Sequence, residues 1–184
     1  MEEIYEGEGK ESLRNRLIIA GIDEIAERGI TDFSLRRVAA ACNTSCAAPY
    51  KHFKNKDELI LAIISYINSQ WVLLKNQILS IYSSDMAKAL TEVCIAYIRF
   101  WIANPNYRTI LSSSGKSHHS DKSEINELVS SYCDESNICD EKKARCIYAV
   151  TALIYGTTSM LEHNELPNNE KTFSLIRESI KSIL

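Results

Sequence analysis

Between Ser34 and Lys56 the chain carries five basic residues, Arg36, Arg37, Lys51, Lys54 and Lys56, and no acidic one, although its formal net charge is -3. The positive charge is local. The same stretch also constrains its own shape. Its apolar and small residues predict two short helices, Leu35 to Cys42 and Cys46 to Phe53, joined through Asn43-Thr44-Ser45. Asn is one of the few residues besides Gly that tolerates a left-handed turn, and Ser45 is a good N-cap for the second helix. This is the pattern of a helix-turn-helix. Such a pair needs another helix to pack on. Residues 10–28 supply it, with Leu13, Leu17, Ile18, Ile22 and Ile25 at the three-or-four spacing of one buried face and Gly29 as the stop.

With these residues in view, the region from about Glu11 to Ile67 resembles the DNA-binding domain of the TetR/AcrR family of bacterial transcriptional regulators. Three segments carry the resemblance: Ser34-Leu35-Arg36-Arg37-Val38-Ala39, Pro49-Tyr50-Lys51-His52-Phe53 and Asn55-Lys56-Asp57-Glu58-Leu59. The chain departs from the family pattern at Asn43, where Gly is usual, and at Thr44, where Val is preferred. The resemblance implies that Tyr50 and Lys56 contact the DNA backbone, that His52 lies beside it, and that Phe53 locks the recognition helix into the core. Beyond about Ser69 it implies only an all-helical fold.

The residues themselves point the same way. Ser34 is placed to cap the second helix, leaving Arg36 and Arg37 wet. Beside a second basic cluster with no acid between, these arginines read as phosphate ligands. Thr44, Ser45, Cys46, Ala47 and Ala48 are small, so the backbone can approach a major-groove floor closely. Tyr50, Lys51 and His52 supply the polar reach. Few groups here can hydrogen-bond base edges, so much of the specificity is expected from thymine methyl contacts and DNA shape. The expected partner is double-stranded DNA.

In 184 residues, 45% are hydrophobic and only six are Gly and three Pro, which argues for a helix-rich globule. No run approaches the roughly 18 apolar residues of a membrane span. The acidic start lacks the basic and apolar regions of a signal peptide, so the expected location is the cytoplasm, with no membrane partner. The six cysteines are then expected as reduced thiols.

The expected fold is all-α, with about nine helices in a three-helix DNA-binding head and a helical ligand-binding and dimerisation body. Residues 1–9 read as a disordered acidic arm. The head covers 10–56, extending to about 67, and the body 57–184. Asn55 caps a long fourth helix, with Glu58 at the capping-box position and Leu59, Ile60, Ile63, Ile64, Ile67, Trp71 and Leu74 in apolar series. Further helices are expected over 85–103, 104–111, 124–133 and 141–163, and from Pro167-Asn168-Asn169 to Leu184. Residues 112–123, polar and holding His118-His119, read as a loop rather than a metal site.

The last two helices read as the seam of a homodimer, through Tyr148, Thr151, Tyr155, Thr158, Phe173, Ile176 and Ile180. A two-fold dimer would read an inverted repeat. The aromatic residues Trp71, Tyr97, Trp101, Tyr107 and Tyr155 are candidates to line a cavity for a small-molecule effector of flat or greasy shape. The alternative is a thiol sensor built on Cys42 and Cys46 or on Cys133, Cys139 and Cys146. No phosphate loop, nucleophile elbow or metal-ligand spacing occurs, so neither an enzyme nor a cofactor or metal is expected.

Overall fold

A computed structural model describes residues 12–105, 110 and 119–184, the side chains of 119–123 excepted. The arm at 1–9, most of the expected helix at 104–111 with Tyr107, and His118 lie outside the described residues. The described residues contain seven α-helices and one short 3-10 helix, and no strand. The chain divides between Ile67 and Asn68 into two compact units.

In the first unit, α1 (Leu13–Arg28) begins where Ser12 Oγ accepts from the Asn15 N–H at 3.3 Å. It buries Leu17, Ile18 and Ile25, while Gly21 sits on the same face. A Cβ on Gly21 would lie 2.7 Å from Ile63 Cδ1, so glycine there permits close approach. Gly29 follows at φ 75, a conformation L side chains rarely adopt. α2 (Leu35–Ala41) packs on α1 through Val38 and Ala39, both fully buried. Ser34 occupies its N-cap position, but its side chain makes no capping bond; the Ser34 carbonyl instead accepts from the Val38 N–H at 3.1 Å.

α3 (Lys56–Ile81) runs through the division between the units. Its start is fixed by Asn55 Oδ1, which accepts from the Glu58 N–H at 2.9 Å. The Glu58 carboxylate reaches back to the Lys54 N–H at 2.6 Å, one residue beyond the expected capping-box partner, Asn55. Leu59, Ile60, Ile63, Ile64, Ile67 and Trp71 are buried, whereas Leu74 is 37% exposed.

The second unit is built around α4 (Met86–Ala103), capped by Asp85 Oδ1 accepting from the Lys88 N–H at 3.0 Å. Leu90, Val93, Cys94, Tyr97, Ile98 and Trp101 are buried, as a helix enclosed on several sides requires. Packed against it are α5 (His119–Glu135), α6 (Asp140–Glu162) and α7 (Glu170–Ile183). α5 starts at His119, so 119–123 are helical rather than part of a loop. A polar first turn carries no apolar periodicity, which is why the spacing does not reveal it. α7 begins at Asn169, whose Oδ1 accepts from the Thr172 N–H at 3.0 Å.

Three helices end in the same way. Asn43, Asn137 and Asn164 have φ of 53, 55 and 57. Each supplies one N–H to the carbonyl three residues back, and the following residue supplies another to the carbonyl five back. These are Schellman caps with Asn at the left-handed position usually taken by Gly.

Candidate nucleic-acid interface

The turn at Asn43 sets the site. Asn43 N–H donates to Ala40 O and Thr44 N–H to Ala39 O, each at 3.0 Å. From α1, Arg16 Nη2 donates to the Cys42 carbonyl at 2.5 Å, tying the same turn from outside the motif. Arg16 carries no signal in the sequence, since it lies 26 positions away on a polar face of α1.

The segment after the turn is not the expected helix over Cys46 to Phe53. It is a turn followed by a single 3-10 turn, Pro49–Lys51. Its bonds mostly span three residues: Ala48 N–H to Ser45 O at 2.9 Å, Lys51 N–H to Ala48 O at 3.1 Å and His52 N–H to Pro49 O at 2.9 Å. Pro49 has no N–H to return to Ser45, so the four-residue ladder cannot propagate through it. Phe53 is 2% exposed and anchors the end of the segment, with the Arg14 guanidinium 5.3 Å from its ring centroid.

The fixed turn presents Ser45, Cys46, Ala47, Tyr50, Lys51 and His52 to solvent, with Tyr50 59% exposed. Thr44 and Ser34 are half-buried and Ala48 is buried, so Ala48 serves packing. The five cations are not equivalent. Arg36, Lys51 and Lys54 are exposed, and among the described residues no acidic side chain pairs with them. Arg37 is held by Glu24 on α1, its Nε 2.6 Å from Oε1, and also donates to the Asp32 carbonyl. The Glu24 hydrogen bond raises the Arg37 pKa further above its ordinary value. Lys56 Nζ donates to Ile30 O at 3.0 Å and lies 5.6 Å from the Phe33 ring centroid. Arg37 and Lys56 thus begin by tying the head together.

In the second unit, the candidate pocket residues Trp71, Tyr97 and Trp101 do meet. Trp71 stands edge-on to Tyr97 with ring centroids 5.2 Å apart, and Tyr97 to Trp101 at 5.8 Å. Phe100 joins at 5.6 Å from Trp71. Tyr155 is half-buried on α6, and Tyr107 lies outside the described residues. Two open clefts, of about 560 and 480 Å³, lie elsewhere in this unit, beside Tyr132 and Arg177 and beside Arg99 and Phe173.

The seam residues separate into two groups. Phe173, Ile176, Ile180 and Thr158 are buried within the chain's own core, and Thr151 donates to Asn126 Oδ1 at 2.8 Å. Tyr148, by contrast, is 76% exposed, and Leu175, which the spacing did not single out, is 64% exposed.

All six cysteines are thiols. Cys42, Cys94 and Cys133 are buried, while Cys46 and Cys139 are exposed. Burial pushes the Cys94 thiol up to about 12. Burial, and then the neighbouring Cys146, raises Cys133. A raised thiol is a poor nucleophile at neutral pH, so Cys133 lends the sensor reading no support. Among the described residues no group of three or more His, Cys, Asp or Glu side chains could hold a metal, and no helix is long and apolar enough to cross a membrane.

Residues 17–63 match the family model described as bacterial regulatory proteins, tetR family. No curated protein matches the chain. Among solved structures, a protein with unknown function from Rhodococcus sp. is similar at 17% identity and TM-score 0.72, over 97% of this chain and 94% of that one. A TetR family transcription regulator from Marinobacter aquaeolei is similar at 16% identity and TM-score 0.64, over 92% and 94%. A TetR variant from Acinetobacter baumannii in complex with minocycline is similar at 14% and 0.57, over 94% of each chain. At these identities the likeness is one of fold.

Proposed function

We propose that this chain, whose residues 17–63 match the family model of bacterial regulatory proteins, tetR family, is a sequence-specific DNA-binding transcriptional regulator, a homodimeric repressor released from an inverted-repeat operator by a small, largely apolar or aromatic ligand. One observation carries the reading. The Asn43 turn presents Ser45, Cys46, Ala47, Tyr50, Lys51, His52 and Lys54 to solvent, with no acid among them, in a chain of net negative charge. A local cationic surface of this kind favours phosphate over other partners. The expected location is the cytoplasm, where DNA is.

Within that surface Arg36, Tyr50 and Lys51 are the side chains offered outright, and Ser45 to Ala47 bring backbone close to bases. Arg37 and Lys56 add charge from fixed positions. For the dimer, the exposed stripe Tyr148, Ala152, Gly156 and Ser159 on α6 and the exposed Leu175 on α7 support the seam. Gly156 has nothing within 4 Å of an added Cβ, which leaves room for a second helix. Trp71, Tyr97 and Trp101 support the ligand reading, and the minocycline complex is one instance of this fold holding an aromatic-ringed molecule.

The test is fluorescence anisotropy of the purified protein against DNA from around its coding region, at several salt concentrations. Tight binding to one inverted repeat, with log affinity falling steeply as log salt rises, is expected. Lys51→Ala should weaken all sequences alike, and Tyr148→Glu should lower both the sedimentation mass and the affinity. No specific site there or in a random-sequence selection would refute the reading.

A further inference from the structure

Resting on the ligand-responsive reading of the body, we propose that the effector is an apolar or aromatic monocarboxylate whose carboxylate takes the place of Glu124 on Trp71 and Lys75. Lys75 Nζ and Trp71 Nε1 donate to the same oxygen of Glu124, Oε2, at 2.7 and 3.3 Å. The two donors lie four residues apart on α3, and so on one face of one helix. The acceptor comes from a different helix, α5. A two-donor seat for a carboxylate oxygen is thus already assembled, and a side chain of the protein occupies it.

The exposures show which partner can leave. Trp71 is 3% exposed and the Lys75 side chain 14%, whereas the Glu124 side chain is 31% exposed. An ammonium so shielded must keep a counter-charge, because an unpaired shielded charge is costly. An incoming carboxylate satisfies that need, and Glu124 can turn towards the water it already partly faces. A cationic ligand would have to expel the less accessible Lys75. A neutral one would leave both charges to be desolvated by an uncharged neighbour.

The rest of the ligand is defined by what stands beside the seat. Trp71 is itself a member of the aromatic cluster with Tyr97, Phe100 and Trp101. Ring edges and faces select an apolar body and disfavour a sugar or a polyphosphate. Because donors and acceptor belong to different helices, the exchange cuts a tie between α3 and α5, giving the ligand a differential contact on which linkage can act.

The test uses the whole protein and the emission of its two tryptophans, Trp71 and Trp101. Benzoate, naphthoate and decanoate are titrated, each against its primary amide. At least one acid should bind about tenfold or more tightly than its amide. Glu124→Gln should tighten that acid by about tenfold, since the competing charge is gone, and Lys75→Met should abolish its binding. Equal binding of acids and amides, or no acid binding to either wild type or Glu124→Gln, overturns the proposal. The acid-to-amide comparison in wild type stands even if a variant does not fold. Anisotropy on the selected operator separates the underlying reading: an acid that binds with this charge dependence yet leaves DNA affinity unchanged supports the carboxylate seat and refutes its regulatory role.

Discussion

Asn43 is where the conformation of one backbone residue decides the presentation of the whole segment proposed to face DNA, so its replacement is the sharpest test of the head. At φ 53 it closes a Schellman cap with bonds to Ala40 O and Ala39 O. A residue with a Cβ is disfavoured in this region by about 1–2 kcal/mol. Asn recovers part of that through its short polar side chain, whereas Ala recovers none. Asn43→Ala should therefore destabilise the turn by about 1 kcal/mol. Gly removes the steric term but adds about 0.5–1 kcal/mol of unfolded-chain entropy, so Asn43→Gly should stay within about 0.5 kcal/mol of wild type. Hydrogen exchange of the amides over residues 35–53 reads this locally. A loss of about 1 kcal/mol lowers protection roughly fivefold in Asn43→Ala, with Asn43→Gly close to wild type. The same ordering is expected at Asn137 and Asn164, which share the geometry. If Ala and Gly at position 43 behave alike, the left-handed cap is not what holds the turn.

The remaining tests separate charge, packing and protonation. Arg36→Ala should lower the slope of log affinity against log salt by about 0.9 and leave the melting temperature unchanged, whereas Arg37→Ala should lower the melting temperature because it strands Glu24, 9% exposed; salt titrations and thermal scans of both variants check the contrast. Gly21→Ala should cost about 1–3 kcal/mol in urea unfolding through its clash with Ile63 Cδ1, and adding Ile63→Val, which deletes that methyl, should restore part of the loss. Cys94 titrates at its ordinary 9.0 when unfolded and at about 12 when folded. The unfolded chain then binds fewer protons over that window, so stability should hold below pH 9 and fall by about 1.4 kcal/mol per pH unit towards 12. Denaturant titrations across that range should show the Cys94 share of this slope vanish in Cys94→Ala.

What could be seen in the sequence depended on how local its cause was. Helix starts at Asn55 and Asn169 and the buried series Leu59 to Trp71 follow from neighbours within one or two turns, and the structure shows them. The segment Cys46 to Phe53 departs from the expected helix at Pro49. Its missing N–H in fact leaves a three-residue bonding pattern and a single 3-10 turn. Periodicity likewise shows that Phe173, Ile176 and Ile180 share a face, but not whether that face meets the same chain or another. Here it meets the same chain, and the exposed Leu175 lies on the other side of α7. The furthest from legible were the charge pairs, Lys75 with Glu124 across 49 positions and Arg37 with Glu24 across 13. Counting Ser34 to Lys56 as five cations and no acid is correct as composition. It overstates the field at the surface, because the acid that answers Arg37 arrives from α1. The charge available to a phosphate is therefore a property of the assembled head, and Arg36, Lys51 and Lys54 should dominate its salt dependence over Arg37.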